Sequence, residues 1–242
     1  MVRDYLSEII TKKENWNLEV ILSSFKEFLS KKKKIIIYGC GVSLEESVNY
    51  LLKNKINLNK DTILNIAADG ASRLLKEKKI DIGAIFSDLD GISKKEFSYP
   101  DYMIVHAHGD NLEKIRYFES EILKCKNIIF TCQVEPTKYI LNPGGFTDGD
   151  RILFFLRALL EPAQKLYLIG MDFENQVGKY SKLDYQKNHQ ANDIKQKKLK
   201  YASELIDWLR DHITNQLSYV NSKKPSKRYD NIELEAFYKM LL

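Results

Sequence analysis

Three short groups rich in aspartate each follow closely behind a run of apolar or β-branched residues. The groups are Ala68-Asp69-Gly70-Ala71, Ser87-Asp88-Leu89-Asp90-Gly91 and His106-Ala107-His108-Gly109-Asp110-Asn111. Because parallel strands all end along one edge of their sheet, carboxylates just beyond separate strands converge where open α/β sheets bind ligands. Such a cluster repels itself without cations, and its hard oxygen atoms suit Mg²⁺, which commonly arrives with substrate phosphates. The pattern therefore predicts a magnesium-dependent enzyme that acts on a phosphorylated nucleotide.

The predicted metal ligands are Asp69, Asp88, Asp90 and Asp110. Each has a simpler explanation, since an aspartate before a helix is a good N-cap and paired aspartates before a glycine form turns. Their coincidence at successive strand ends favours a metal site over four separate local roles.

The alternation His106, His108, Asp110 also raises the question of a zinc site. Tetrahedral zinc sites take three or four nitrogen or sulfur ligands, and no further residue at zinc-like spacing accompanies these three. A hydrogen-bonding role for the histidines at the end of a strand is therefore favoured.

A glycine turn, Gly39-Cys40-Gly41-Val42-Ser43-Leu44, links a predicted strand to a predicted helix. Glycines let the backbone approach a phosphate, and a helix N-terminus offers free N–H donors, so Gly39, Gly41 and Ser43 are candidate nucleotide contacts. The third glycine of the dinucleotide fingerprint is absent, and a plain tight turn explains the motif equally well. Ser43 with Glu46 predicts a capping box at the start of the helix.

Two later segments carry further candidates. Thr147 and Asp148 end a glycine-rich loop, where either would cap the next helix or contact the nucleotide or the acceptor. Lys195 and Lys198 are three residues apart and so share one face of a predicted helix. A triphosphate needs cations that the acidic strand ends do not supply, which favours a catalytic role for these lysines over a merely solvated face.

The elements that must position these residues alternate between strand and helix. Apolar periodicity predicts a helix at 15–30, strands at 35–38, 62–67, 83–86, 102–105, 127–131 and 165–169, and helices at 70–78, 111–123, 148–160 and 191–210. The strand at 165–169 is expected to be the final core strand. The alternation indicates an α/β fold with a doubly wound, mostly parallel sheet flanked by helices. We expect an N-terminal helical segment (1–34), a catalytic domain (35–212) and a C-terminal basic segment with a helix (213–242).

Composition excludes several other classes of protein. The chain has 242 residues, 44% hydrophobic and 29% charged, with no apolar run long enough to span a membrane. Three cysteines without metal-ligand spacing fit a reduced, cytoplasmic setting. The net charge of +5 includes basic blocks such as Lys223, Lys224, Lys227 and Arg228. Such blocks are more often solvated faces than nucleic-acid surfaces, and no nucleic-acid partner is expected.

Taken together, seven motifs resemble those of the archaeal 6-hydroxymethyl-7,8-dihydropterin pyrophosphokinases, a family distantly related to thiamine pyrophosphokinases. The resemblance covers roughly residues 35–210, and the family turn usually has proline where Val42 stands. The motifs are Gly-x-Gly-x-Ser-Leu, Ala-Asp-Gly-Ala, Ser-Asp-Leu-Asp-Gly, His-x-His-Gly-Asp-Asn, Gly-Gly-Phe-Thr-Asp-Gly-Asp-Arg, Ile-Gly-Met-Asp-Phe and Lys-x-x-Lys-Leu.

The resemblance implies a Rossmann-like, thiamine-pyrophosphokinase-like catalytic domain and Mg²⁺-dependent pyrophosphoryl transfer from ATP to a hydroxymethyl pterin. The four aspartates would hold Mg²⁺ and orient the triphosphate, Asp90 or Asp110 would accept the hydroxyl proton, and Lys195 and Lys198 would stabilise the moving pyrophosphate. The expected nucleotide-binding residues are Gly39, Gly41, Ser43, Asp69, Gly70, Asn111, Thr147 and Asp148.

Three alternatives stay open at this point. Thiamine is a rival acceptor, although a lysine-rich helix stands where thiamine pyrophosphokinases continue into a β-sandwich. A relative of bacterial flagellin-modifying proteins would be much longer, and a non-catalytic nucleotide- or RNA-binding module would use the basic surface alone. A homodimer is compatible with the sequence, which does not determine the oligomeric state.

Overall fold

The computed structural model describes residues 2–223 and 225–242, so Met1 and Lys224 of the predicted terminal segments lie outside the described residues. No described helix combines the length and apolar character that crossing a membrane requires. The strands are β1 (Lys34–Tyr38), β2 (Ile63–Ala68), β3 (Ile82–Ser87), β4 (Pro100–Ala107), β5 (Ile128–Cys132), β6 (Lys165–Ile169), β7 (Gln176–Val177), β8 (His189–Gln190), β9 (Leu217–Val220) and β10 (Asn231–Ile232). The α-helices are α1 (Val2–Thr11), α2 (Leu18–Ser30), α3 (Leu44–Lys53), α4 (Ala71–Glu77), α5 (Leu112–Tyr117), α6 (Glu119–Lys124), α7 (Asp148–Leu156), α8 (Asp193–Leu209) and α9 (Leu234–Leu241).

Eight strands form one sheet in the order β10-β9-β6-β1-β2-β3-β4-β5. Every pairing in this sheet is parallel. The chain winds outward from β1 through β2 to β5 on one side and through β6, β9 and β10 on the other. The α/β fold with a mostly parallel sheet is therefore confirmed, and the crevice between β1 and β6 is its topological switch point. The finer likeness to thiamine pyrophosphokinases stays a prediction.

Successive residues of the strands bury their side chains on opposite faces of the sheet. In β1, Ile36 and Tyr38 pack with helices α1, α3 and α4, whereas Ile35 and Ile37 pack with α2, α7 and α8. Because helices cover both faces, the strands are apolar throughout rather than alternating.

Several elements differ from those predicted. Helix α1 lies within the expected N-terminal helical segment, although apolar periodicity had indicated a helix only at 15–30. The helix expected at 111–123 is interrupted at Phe118, which caps the end of α5 and the start of α6. The buried Phe118 ring stacks on Phe97 at a centroid distance of 5.4 Å, which accounts for its fixed position at this break. The expectation that 165–169 is the last core strand is wrong, because β9 continues the sheet beyond β6. Its four residues are all buried, but so short a run with a central serine gives little periodicity in the sequence.

Residues 173–192, which we call the covering segment, join β6 to α8 and lie over the strand ends. The segment contains the antiparallel pair β7–β8 and a short 3₁₀-helix at Lys179–Ser181. Arg73 of α4 donates to the carbonyl oxygens of Tyr180 and Lys182, at 2.9 and 2.8 Å. The Tyr180 hydroxyl lies 3.3 Å from Glu77 Oε2, so both contacts fix the segment to α4.

Candidate active site

A cavity of about 500 Å³ opens at the carboxyl edge of the sheet, between the strand-end loops and the covering segment. We call it the acidic cavity. It brings together most of the charged residues predicted from sequence, and its charged lining consists of Asp69, Asp88, Asp90, His108, Asp110, Asp148, Lys182, His189, Lys195 and Lys198.

Asp69 directly follows β2 and has a left-handed backbone, with φ of 47°. Its N–H donates to the Phe86 carbonyl oxygen at 2.7 Å, and its Oδ1 accepts from Ser87 Oγ at 2.6 Å. Burial, followed by the negative charge of Asp88, raises the pKa of the Asp69 carboxyl to about 7. The carboxyl group is thus fixed in place but is costly to ionise without a nearby cation.

Asp88 directly follows β3, and its two oxygens have different partners. Oδ1 accepts from the Asp90 N–H at 3.0 Å, and Oδ2 lies 3.2 Å from His108 Nε2. Burial raises the pKa of Asp88, but the hydrogen bond and charge of His108 outweigh this effect and the pKa is lowered. The hydrogen bond to Asp88 in turn raises the pKa of His108, whose Nδ1 pairs with Asp110.

Asp148 comes from outside the strand ends, as the first residue of α7, with Thr147 as the N-cap. The Asp150 carboxylate accepts from the N–H groups of Phe146 and Thr147, at 2.6 and 2.7 Å, and fixes the start of this helix. Burial, and then the charges of two neighbouring carboxylates, raise the pKa of Asp148 well above its usual range.

One carboxylate oxygen each from Asp69, Asp88 and Asp148 lies within 4.8 Å of the other two. We call these residues the carboxylate cluster. Two of the four predicted metal ligands belong to it, and its third member had been predicted to contact the nucleotide or the acceptor. All three supply hard oxygen donors, and the raised pKa values of Asp69 and Asp148 make these two costly to ionise without a cation, which fits a divalent ion such as Mg²⁺.

Asp90 and Asp110 line the acidic cavity but lie outside the carboxylate cluster. The Asp90 carboxylate is paired with Lys114 at 3.3 Å and with Lys182 at 3.4 Å. The Asp110 side chain is 85% exposed and contacts His108. Both carboxylates therefore face the cavity with lysine or histidine partners rather than with the other aspartates.

The zinc alternative gains no support from the structure. Among the described residues, His106, His108 and Asp110 do not form a group of converging metal-ligand atoms. His106 Nδ1 lies 3.0 Å from Thr131 Oγ1 within the sheet, which fits the hydrogen-bonding role expected for it.

The positive side of the cavity is built mainly by α8. Lys195 and Lys198 both line it, as their shared helix face predicted, and the covering segment contributes Lys182. Over residues 2–223 and 225–242, no carboxylate oxygen lies within 4.0 Å of Lys195 Nζ or Lys198 Nζ. These two ammonium groups are therefore available to an anionic ligand.

The two glycines of the predicted phosphate turn are tied to the end of β6. The Gly39 N–H donates to the Ile169 carbonyl oxygen at 2.8 Å, and the Gly41 N–H donates to that of Gly170 at 2.7 Å. A Cβ on Gly39 would lie 2.6 Å from the Gly170 carbonyl oxygen. The turn therefore needs glycine for the close approach of two loops, whatever ligand it contacts.

Ser43 follows this turn and is fully buried. Its N–H and Oγ donate to the two carboxylate oxygens of Asp172, at 2.7 and 2.9 Å. The predicted capping box with Glu46 is wrong, because the hydroxyl is directed to Asp172 instead. Asp172 thus already occupies the N–H and the hydroxyl of the N-cap residue, which the sequence had suggested as a nucleotide contact.

A smaller pocket of about 120 Å³ adjoins the acidic cavity at the β1–β6 switch point, and we call it the switch-point pocket. The two share five lining residues: Asp69, Asp148, Val177, Ser181 and Lys195. Gly39, Gly41 and Thr147 line the smaller pocket only.

Asn111 is buried and supports the site from behind. Its Nδ2 donates to the carbonyl oxygens of Asp88 and His106, at 3.0 and 2.7 Å, and its Oδ1 accepts from the His108 N–H at 3.0 Å. It therefore connects the loops after β3 and β4 and positions Asp88 and His108.

Gly70 also has a structural role, because a Cβ there would overlap the Tyr180 carbonyl oxygen of the covering segment. The sequence did not single out that segment as part of the site, so the role of Lys182 was missed. The residues of the covering segment show no strand or helix periodicity. Only their position directly after a core strand could have indicated that the segment contributes to the site.

The chain is similar to a known protein family and to named proteins of three organisms. A family model described as "6-hydroxymethylpterin diphosphokinase MptE-like" matches residues 12–178. A 6-hydroxymethyl-7,8-dihydropterin pyrophosphokinase of Pyrococcus furiosus is 35% identical over 86% of this chain and 84% of its own length. Proteins of the same name from Methanocaldococcus jannaschii and Methanothermobacter thermautotrophicus are 38% and 36% identical, over 75% and 72% of this chain and 76% and 72% of their own lengths.

The range matched by the family model includes the strand-end loops and the start of α7 that build the carboxylate cluster. The chain therefore belongs to the MptE-like 6-hydroxymethylpterin diphosphokinase family, and the expectation of a diphosphotransferase is confirmed.

Proposed function

We propose that this protein transfers a pyrophosphoryl group from ATP to the primary hydroxyl of 6-hydroxymethyl-7,8-dihydropterin, with Mg²⁺, giving the pterin diphosphate and AMP. The names of its relatives support the reaction and the acceptor. The proposal depends mainly on one observation: three carboxylates converge in a cavity at the carboxyl edge of the sheet. Lys195 and Lys198 line the same cavity, and the described part of the chain places no carboxylate oxygen within 4.0 Å of their ammonium groups.

In this reaction the alcohol oxygen attacks the β-phosphorus of ATP, and the bond from that phosphorus to the oxygen shared with the α-phosphate breaks. Asp69, Asp88 and Asp148 would hold Mg²⁺, which when bound neutralises charge on the phosphate oxygens. Lys195 and Lys198, which line the same cavity, would offset the negative charge of the transferred group. Positioning and charge neutralisation then account for most of the catalysis.

The hydroxyl proton needs an acceptor that is not occupied by the metal. Asp90 and Asp110 both face the acidic cavity from outside the carboxylate cluster. Either carboxylate can accept the proton from the alcohol, and both stay candidates for the general base.

The test is product analysis by mass spectrometry, with ATP, Mg²⁺ and equal amounts of the hydroxymethyl dihydropterin and thiamine offered together. We expect pterin diphosphate and AMP, and thiamine diphosphate as the main product would contradict the acceptor. Asp88→Ala should lower turnover by about 10²-fold or more, because it removes a cluster carboxylate.

Asp81 provides a matched control, because it flanks the same strand at the opposite end: Asp81 directly precedes β3, whereas Asp88 directly follows it at the carboxyl edge of the sheet. Asp81→Ala should leave AMP release near the wild-type rate. Near-normal AMP release by Asp88→Ala would show that the site is assigned wrongly.

The three free cysteines support the further proposal that the reaction takes place in the cytoplasm.

A further inference from the structure

We propose that the two adjoining pockets divide the substrates, so that the switch-point pocket holds the pterin ring and the acidic cavity holds the polyphosphate of ATP. This inference rests on the proposed function and adds to it the place and the selectivity of the acceptor. It assigns a binding surface to Met171, Phe173, Gln176 and Leu199.

Charge separates the two pockets. The acidic cavity contains the carboxylate cluster together with Lys182, Lys195 and Lys198, which suits a metal-bound polyanion. The charged residues of the switch-point pocket are the three that it shares with that cavity, and Asp172. Asp172 already accepts bonds from Ser43 and from the Lys223 N–H, the latter at 2.8 Å. The part of this pocket away from the cluster is therefore suited to an uncharged ligand.

The lining and the volume of the switch-point pocket fit a planar heterocycle. Met171, Phe173 and Leu199 provide apolar surface, and Gly39 and Gly41 of the glycine turn also line the pocket. Its volume of about 120 Å³ contrasts with about 500 Å³ in the acidic cavity. A single bicyclic ring matches the smaller space, whereas a nucleoside triphosphate requires the larger one.

Gln176 supplies hydrogen bonding that the ring requires. It lies in β7 at the pocket wall, and its side-chain amide has no hydrogen bond to any residue in 2–223 or 225–242. An amide offers a donor and an acceptor side by side, and the aminopyrimidinone edge of a pterin presents the complementary pair.

The junction between the pockets explains how the substrates meet. Asp69, Asp148 and Lys195 line both spaces. The hydroxymethyl group of a pterin bound in the switch-point pocket can therefore project through this junction and lie beside the carboxylate cluster. Placing the alcohol next to the bound polyphosphate is the positioning that the transfer requires.

The experiment compares two substitutions on α8. Leu199 lines only the switch-point pocket and Ile194 lines only the acidic cavity, so Leu199→Trp and Ile194→Trp add the same ring to different spaces. Binding of oxidised 6-hydroxymethylpterin is followed by its fluorescence, and binding of a non-hydrolysable ATP analogue with Mg²⁺ is followed by calorimetry. Leu199→Trp should weaken pterin binding by about tenfold or more with nucleotide binding within about threefold, and Ile194→Trp should spare the pterin.

Weakened nucleotide binding with normal pterin binding in Leu199→Trp would overturn the assignment, as would normal binding of both. If Leu199→Trp fails to fold, Leu199→Ala tests the same wall, and normal pterin affinity in that variant would equally overturn it. Wild-type protein that forms no pterin diphosphate would instead reject the proposed function. If the wild-type enzyme forms pterin diphosphate and the Leu199 variants bind the pterin with unchanged affinity, this inference alone is rejected.

Discussion

At the residue scale, the fold brings three carboxylates together although their negative charges repel one another. Asp69 and Asp148 both have raised pKa values, because burial and their neighbours oppose ionisation. Asp88 has a lowered pKa, because His108 compensates for its burial. Asp88 therefore has a histidine that favours its ionised form, and Asp69 and Asp148 gain most from an added cation.

Asp148 belongs to the carboxylate cluster and Asp110 does not, so we predict that Asp148 contributes more to metal binding than Asp110 does. Asp148→Asn keeps the shape of the side chain but removes the charge from the cluster, so Mn²⁺ should bind about tenfold more weakly or worse. The measurement is a titration of Mn²⁺ followed by electron paramagnetic resonance.

Asp110→Asn is the matched control, because its side chain is 85% exposed and lies outside the cluster. It should change Mn²⁺ affinity much less. An equal loss of Mn²⁺ affinity in both variants would show that Asp110 is a metal ligand after all.

At the element scale, the covering segment closes the site by direct backbone contact with the strand-end loops. Besides the close approach to Gly70, a Cβ on Gly91 would lie 3.0 Å from the Ser181 carbonyl oxygen. These glycines permit a loop to lie flat on the loops after β2 and β3, and this contact brings Lys182 next to Asp90.

Gly70→Ala should therefore displace the covering segment. The added methyl group meets the Tyr180 carbonyl oxygen, and overpacking of this kind costs about 1–3 kcal/mol of the free energy of unfolding. Denaturant titration measures this loss, and the affinity for the ATP analogue should fall with it.

Gly109→Ala makes the same change where nothing lies within 4 Å of the added Cβ. Its free energy of unfolding should stay within about 0.5 kcal/mol of wild type. Comparable destabilisation of the two variants would show that contact with the covering segment is not the cause.

At the scale of the whole molecule, the site joins the two halves of the sheet. The carboxylates come from loops after β2 and β3 and from α7, whereas Asp172 follows β6 and links the turn after β1 to the backbone of Lys223. A ligand that contacts the cluster and α8 therefore connects segments far apart in the chain.

Mg²⁺ with a non-hydrolysable ATP analogue should consequently stabilise the folded chain. At a ligand concentration of 100 Kd the gain is about 2.7 kcal/mol, which corresponds to a rise in Tm of about 5–10 °C for a chain of this size. Differential scanning calorimetry measures the shift, and chelation of the metal should abolish most of it. A full shift in a double variant, Asp88→Asn with Asp148→Asn, would place the ligand elsewhere.

The sequence by itself determined the class of fold and placed two of the three members of the carboxylate cluster at strand ends. Apolar runs alternating with helical patterns indicated a parallel sheet, and an aspartate directly after such a run must lie at its carboxyl edge. Asp69 and Asp88 could be found in this way because a strand end fixes the place of the next residue.

Only the tertiary structure decided the rest of the site. Asp148 reaches the cluster because a long loop carries the start of α7 across the sheet, and the covering segment brings in Lys182 and Gln176. The periodicity of apolar residues does not predict where the loop before α7 or the covering segment lies, because contacts with distant segments position such irregular backbone. For the same reason, the sequence could not show that Asp172, rather than a phosphate, engages the helix after the glycine turn.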